Sequence, residues 1–185
     1  MRFLLALTIL IATAGSCAAS EAAWQALREG GAVALIRHAR APGVGDPAGF
    51  RLDDCTTQRN LSEAGRTQAR ALGAQFKARG IEIRQVLSSR WCRALDTARL
   101  AFGELAQPAP VLDSIFPDGA AGEPQTRAFR ALVMGWRGRE GVAVFVTHQV
   151  NVTALTGAFM AEGEALVLRP GPDGFTEVGR IAVQP

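Results

Sequence analysis

Two short, unbroken apolar runs constrain this 185-residue chain more than any other feature: AVALIRH (Ala32–His38) and GVAVFVTH (Gly141–His148). A strand with no polar alternation has no face to turn to water, so it must be covered on both sides. Between and around these runs the pattern changes to helical spacing. EAAWQALRE (Glu21–Glu29) reads as a helix that stops at Gly30-Gly31. Ser62 is placed to cap a second helix running to about Arg79, with Ala69, Leu72, Gly73 and Phe76 as its apolar stripe and Gly80 at its end. IRQVLSS predicts a second strand, Arg90 to about Leu105 another helix, and APVLD (109–113) a short third strand. A helix from about Thr126 to Arg137 precedes GVAVFVTH, and Asn151 is placed to cap a helix through Phe159. ALVLRP and FTEVGRIAV, separated by GPDG, close the chain as two further strands. Strands alternating with helices predict one α/β domain, a mostly parallel central sheet flanked by helices on both faces. The 48% hydrophobic and 20% charged composition is that of a globular chain with a sizeable core, and no linker divides it.

In open α/β sheets, ligands sit beyond the carboxyl ends of the strands. The first strand ends in Arg37-His38, the second leads into SSRWCR with Arg90 and Arg93, and the long strand near residue 147 ends in Thr147-His148. The chain has two histidines, and each falls directly after a predicted strand. Two imidazoles and several guanidinium groups at one sheet edge repel one another unless an anion joins them. Helix N-termini beginning just after those strands add N–H groups that favour negative charge. A phosphoryl group held by arginines is the simplest ligand. Metal ligation fits poorly, since zinc sites use three or four protein ligands, usually at short spacing, and Arg37 would repel the cation.

The N-terminus reads separately. MRFLLALTILIATAGSCAAS has Arg2, a run of about ten apolar residues and then small residues, the pattern of a secretory signal over residues 1–20. The run is well short of the ~20 residues that span a bilayer, although an uncleaved anchor is the alternative. Cys17 after TAGS raises a weak lipoprotein signal, because Ala14 stands where a large aliphatic residue is usual. Removal of residues 1–20 takes away one charge and leaves a net charge of +2. So small a charge, with no basic tract, argues against nucleic-acid binding. Residues 21–185 then form the domain, periplasmic or secreted, with no stable membrane span. In an oxidising compartment Cys55 and Cys92 are disulfide candidates, free thiols being the alternative.

Four ordered blocks resemble the histidine phosphatase superfamily, with its phosphoglycerate-mutase-like fold: RHA at Arg37–Ala39, LSEAGRTQA at Leu61–Ala69, SSRWCRALDTA at Ser88–Ala98, and VFVTH at Val144–His148. The resemblance implies that His38 is the nucleophile, forming a phosphohistidine intermediate. It also implies that Arg37, Arg93 and His148 hold the phosphoryl oxygens. No cofactor and no metal are required. The proton donor departs from the family pattern: Arg40 stands near one usual acid position and Gln149 follows His148. Asp113 and Asp118 are the candidates left, with Glu123 further on, and Asp113 reads equally well as a turn or cap residue. Arg40, Asn60 and Arg90 are candidate substrate contacts, and a Cys55–Cys92 bridge would fix the 50–60 loop over the pocket and hold Arg93 in register. The expected function is an exported phosphatase acting on a phosphomonoester, an envelope sugar phosphate by analogy with exported relatives. The alternative is an envelope protein that binds the anion without turnover.

Overall fold

The protein is described as a computed structural model covering residues 12–116 and 122–182. Its elements, in chain order, are α1 (Ala12–Glu29), β1 (Ala32–Arg37), α2 (Glu63–Ala78), β2 (Ile83–Ser88), α3 (Cys92–Phe102), β3 (Ala106–Pro108), α4 (Gly122–Met134), β4 (Val142–Thr147), α5 (Gln149–Thr156), β5 (Ala165–Pro170) and β6 (Phe175–Ile181). The six strands form one sheet in the order β3-β2-β4-β1-β5-β6. β1, β2, β3 and β4 run parallel, and β5 and β6 join antiparallel at one edge.

The unbroken apolar runs occupy the centre. Every residue of β4 is buried, and β1 is buried up to Ile36. Helices cover both faces. Trp24 and Leu27 of α1, Leu72 and Phe76 of α2, and Ala94 and Ala98 of α3 pack on one side with Ala34, Ile36 and Val144. Phe129 and Val133 of α4 and Val152 and Leu155 of α5 pack on the other with Leu35 and Phe145. At about 1.5–3 kcal/mol per large apolar side chain removed from water, these two layers are what fix the sheet.

Three local expectations are corrected. APVLD is not a strand: β3 lies one step earlier, at Ala106–Pro108, and Pro110 opens a 3-10 turn through Leu112. Two prolines this close cannot supply ladder donors, so only a short edge segment survives. Asn151 does not cap α5. The cap is His148 in extended conformation, and Asn151 lies inside the helix, where its Nδ2 donates to the Asp113 carbonyl at 2.7 Å. The helix expected from Arg90 begins at Cys92 and breaks into a 3-10 turn at Gly103. Ser62 caps α2 as expected, its Oγ accepting from Gly65 N at 3.1 Å. No described helix is long and apolar enough to cross a membrane. Residues 1–11 of the signal pattern lie outside the described residues, as does Asp118.

Candidate active site

Sheet register builds the site. β1 and β4 are neighbours with Arg37 opposite Thr147, so the next residues, His38 and His148, emerge side by side. Their ring centroids are 5.5 Å apart. The parallel ladder continues into the site, with His38 N donating to Thr147 O at 3.0 Å. β2 lies on the far side of β4 and brings Ser89 to His148.

The turn after His38 is pinned from several directions. Ala39 N donates to Thr97 Oγ1 at 2.9 Å, and Arg40 N donates to Gln68 Oε1 at 3.1 Å. Gly65 permits α2 to reach this turn: a Cβ there would stand 2.1 Å from the Arg40 carbonyl oxygen. Gly163, at φ +76°, donates its N–H to the carbonyls of Arg37 and His38. The strand end is rigid before any ligand arrives.

His38 is buried and neutral. Burial, opposed by its backbone bond and reinforced by Arg93, Arg59 and Arg37, lowers its pKa from 6.5 to about 3. Its Nδ1 lies 2.8 Å from the Ala39 carbonyl oxygen, which can only accept. Nδ1 therefore carries the proton, and Nε2 keeps a free lone pair. His148 is also held well below its ordinary pKa, by burial first and then by His38 and the three arginines. Its Nε2 is 2.7 Å from Ser89 Oγ, which in turn lies 3.4 Å from Asp113 Oδ1.

Arg37 donates from Nη1 to Met160 O at 2.7 Å and lies 3.6 Å from Glu162. Arg93 pairs through Nη1 with Asp46 at 2.8 Å, both side chains almost fully buried. The Nε atoms of Arg37 and Arg93 are buried without a hydrogen-bond partner. A buried charged donor left unpaired is costly, and among the described residues these two atoms have no protein group that satisfies them. Both arginines, with His38 and His148, line one cavity of about 500 Å³.

Two residues of this cavity were not among the candidates from sequence. Asp46 accepts from Arg93, from Arg59 N at 3.0 Å and from Trp91 Nε1 at 3.0 Å. Burial alone would raise its pKa, but the bonds from Arg93, Arg59 and Trp91 hold it below the ordinary value. Arg59 donates from Nε to Gly45 O at 2.9 Å and from Nη1 to Gly43 O and Ala41 O. It laces the 41–45 segment into the wall. Nothing in the periodicity of this loop reveals either role; the excess of polar residues between 53 and 60 is the single sequence signal.

Among the described residues, the other candidates lie outside the cavity lining. Arg90 pairs with Asp113, which also accepts from Arg90 N at 2.8 Å. Asp113 is thus an acceptor that orders Arg90 and Ser89. Asn60 Nδ2 donates to Cys55 O and Gln58 O, and Arg40 is exposed. Cys55 and Cys92 are joined in a disulfide, with their Cα atoms 5.7 Å apart. Gln58 reinforces that join by accepting from Cys92 N at 3.0 Å, which caps the start of α3 one residue before Arg93. Among the described residues no group of three metal-binding side chains occurs.

Residues 33–115 match the family described as the histidine phosphatase superfamily (branch 1). That match spans 83 of the 185 residues and contains Arg37, His38 and Arg93. No curated protein matches the sequence significantly. Solved structures share the fold at low identity. The protein histidine phosphatase SixA complexed with tungstate is 18% identical, with a TM-score of 0.61 over 82% of this chain and 96% of that one. Phosphoserine phosphatase from Entamoeba histolytica, in complex with 3-phosphoglyceric acid, is 13% identical, with a TM-score of 0.60 over 83% and 98%. A mycobacterial glucosyl-3-phosphoglycerate phosphatase is 18% identical, with a TM-score of 0.54 over 74% and 89%. These likenesses agree with the four sequence blocks and with the single α/β domain.

Proposed function

We propose that this chain is an exported phosphomonoester hydrolase working through His38. One observation carries the reading: a neutral histidine whose Nε2 keeps its lone pair lines the same cavity as the guanidinium groups of Arg37 and Arg93. His38 Nε2 attacks phosphorus, the P–O bond to the leaving group breaks, and that oxygen keeps the electron pair. Arg37 and Arg93 balance the charge on the non-bridging oxygens, with the neutral His148 beside them as a hydrogen-bonding group. Water then attacks the phosphohistidine, returns the electron pair to Nε2 and releases phosphate, with its proton passing to solvent. Uncatalysed monoester hydrolysis is slow enough to need accelerations of up to ~10²¹, and concentrated positive charge is the physical means available here.

Export rests on the signal pattern of residues 1–20 and is supported by the disulfide. Ala23, Trp24, Ala26 and Leu27, which anchor α1 in the core, all follow the proposed junction. Cleavage would leave them in place. Mass spectrometry of the mature N-terminus tests this and reads any lipid on Cys17.

The catalytic test is release of p-nitrophenol from its phosphate ester at acidic pH, abolished by His38→Ala. A second reading, anion binding without turnover, is favoured by Asp46. Among the described residues it is the one carboxylate lining the cavity, and Arg93, Arg59 and Trp91 already occupy it. Vanadate binding with no hydrolysis of any phosphoester would establish that reading instead.

A further inference from the structure

The phosphoryl end fills only part of the cavity. Beyond it stand Val44, Pro47, Ala48, Phe50, Phe116 and Val150. Val44 is 93% exposed and Phe116 65%, and Phe159, 72% exposed, holds its ring centroid 6.0 Å from the Arg37 guanidinium. Scattered apolar residues on a surface need no explanation, but Val44, Phe50 and Phe116 all line one cavity. The wall is also built rather than loose. Arg59 binds the carbonyls of Ala41, Gly43 and Gly45, Asp46 is anchored to Arg93 and Trp91, and Phe50 packs on Trp91 with centroids 5.7 Å apart.

Of the described polar side chains in this outer part, Gln149 is engaged and Ser114 keeps its O–H to donate. Gln149 donates to Thr153 Oγ1 and Ala158 O and accepts from Met160 N. Ser114 Oγ accepts from Phe116 N at 3.4 Å. A sugar entering here would exchange water around its hydroxyls for an apolar wall and receive few bonds in return. Among the described residues, the acids point the same way. Asp46 is committed as described, and Glu162 accepts from Ala41 N and faces Arg37 and Arg59. An alkoxide cannot depart well without a proton, whereas a phenolic oxygen, ionising near about pH 10, departs far more readily as the anion.

Building on the phosphatase reading, we infer that the substrate is an aryl phosphomonoester whose apolar ring sits against Val44, Phe50 and Phe116, rather than a sugar phosphate. His38 Nε2 bonds to phosphorus as the aryl–O–P bond breaks, and the aryloxide leaves with the electron pair and is protonated by solvent.

The test compares kcat and KM for 2-naphthyl phosphate, dodecyl phosphate and glucose 6-phosphate, on wild type, His38→Ala and Phe116→Ala. Expected are a kcat/KM for 2-naphthyl phosphate at least 100-fold above that for glucose 6-phosphate, and a kcat well above that for dodecyl phosphate. Phe116→Ala should raise KM for 2-naphthyl phosphate about tenfold, with a far-UV circular dichroism spectrum and urea midpoint like those of wild type showing that the variant is folded. Equal or better use of glucose 6-phosphate, equal kcat on dodecyl phosphate, or an unmoved naphthyl KM in Phe116→Ala would overturn the inference. Absence of all turnover would instead remove the phosphatase reading. Displacement of bound vanadate then decides: 2-naphthyl phosphate at least tenfold tighter than glucose 6-phosphate sustains the aryl site, and equal affinity refutes it.

Discussion

His38 is held in the form that attack requires. Its Nε2, the proposed nucleophile, is free because the other ring nitrogen must donate to the Ala39 carbonyl, and its proton affinity is low because it is buried among arginines. A lowered histidine pKa keeps the neutral form down to about pH 3, so acid inactivation should not appear at 6.5. Once the ionisation of the substrate is allowed for, kcat/KM should stay level from pH 7 to about pH 4. A protein limb centred near 6.5 would contradict the buried, neutral nucleophile. Residues of this kind were legible in sequence because they end strands. Arg37, His38 and His148 follow apolar runs whose burial fixes their direction, and Arg93 opens a helix after another strand. Asp46 and Arg59 lie in a loop with neither period, and their roles come from contacts made over more than ten residues of irregular chain. Arg40 and Arg90 show the converse. They sit beside the right motifs, yet one faces solvent and the other is drawn to Asp113.

Among the elements, the long segment between β1 and α2 has little secondary structure of its own and is fixed by cross-links. The Cys55–Cys92 bridge spans 37 residues of sequence, and Gln58 adds bonds to Cys92 N and to the carbonyls of Arg51 and Leu52. By the chain-entropy model a loop of that size contributes about 3–4 kcal/mol. Because the bridge ends one residue before Arg93, it also bears on the phosphoryl clamp. The Cys55→Ser/Cys92→Ser double variant should lose about 3 kcal/mol in urea unfolding and show a raised KM for p-nitrophenyl phosphate at temperatures where it remains folded. Unchanged KM would mean that Gln58 and Asp46 hold Arg93 without help. The failed expectation of a strand at APVLD belongs to this scale too. Its composition suits a strand, but Pro108 and Pro110 leave a three-residue edge and a 3-10 turn, a backbone constraint that counting apolar residues does not register.

For the whole molecule, the sheet order that places β1 beside β4 sets two imidazoles and three guanidinium groups at one edge, and stability there is exchanged for readiness to bind an anion. The acid side should reveal this. Both histidines have depressed folded-state pKa values and ordinary unfolded ones near 6.5, so the unfolded chain binds more protons as pH falls. Stability is therefore fully present above 6.5 and declines as pH drops toward about 3. For His38 alone, two pH units of this decline amount to about 3 kcal/mol at 1.36 kcal/mol per unit, and His148 acts in the same direction. Urea unfolding at pH 7.5 and pH 4.5 should differ by at least that amount, and His38→Ala should remove about 3 kcal/mol of the difference. A flat profile over this range would mean that the imidazoles are hydrated or already charged in the folded state. In that case Nε2 would hold a proton over part of the working range, and the nucleophile would have to be sought elsewhere in the cavity.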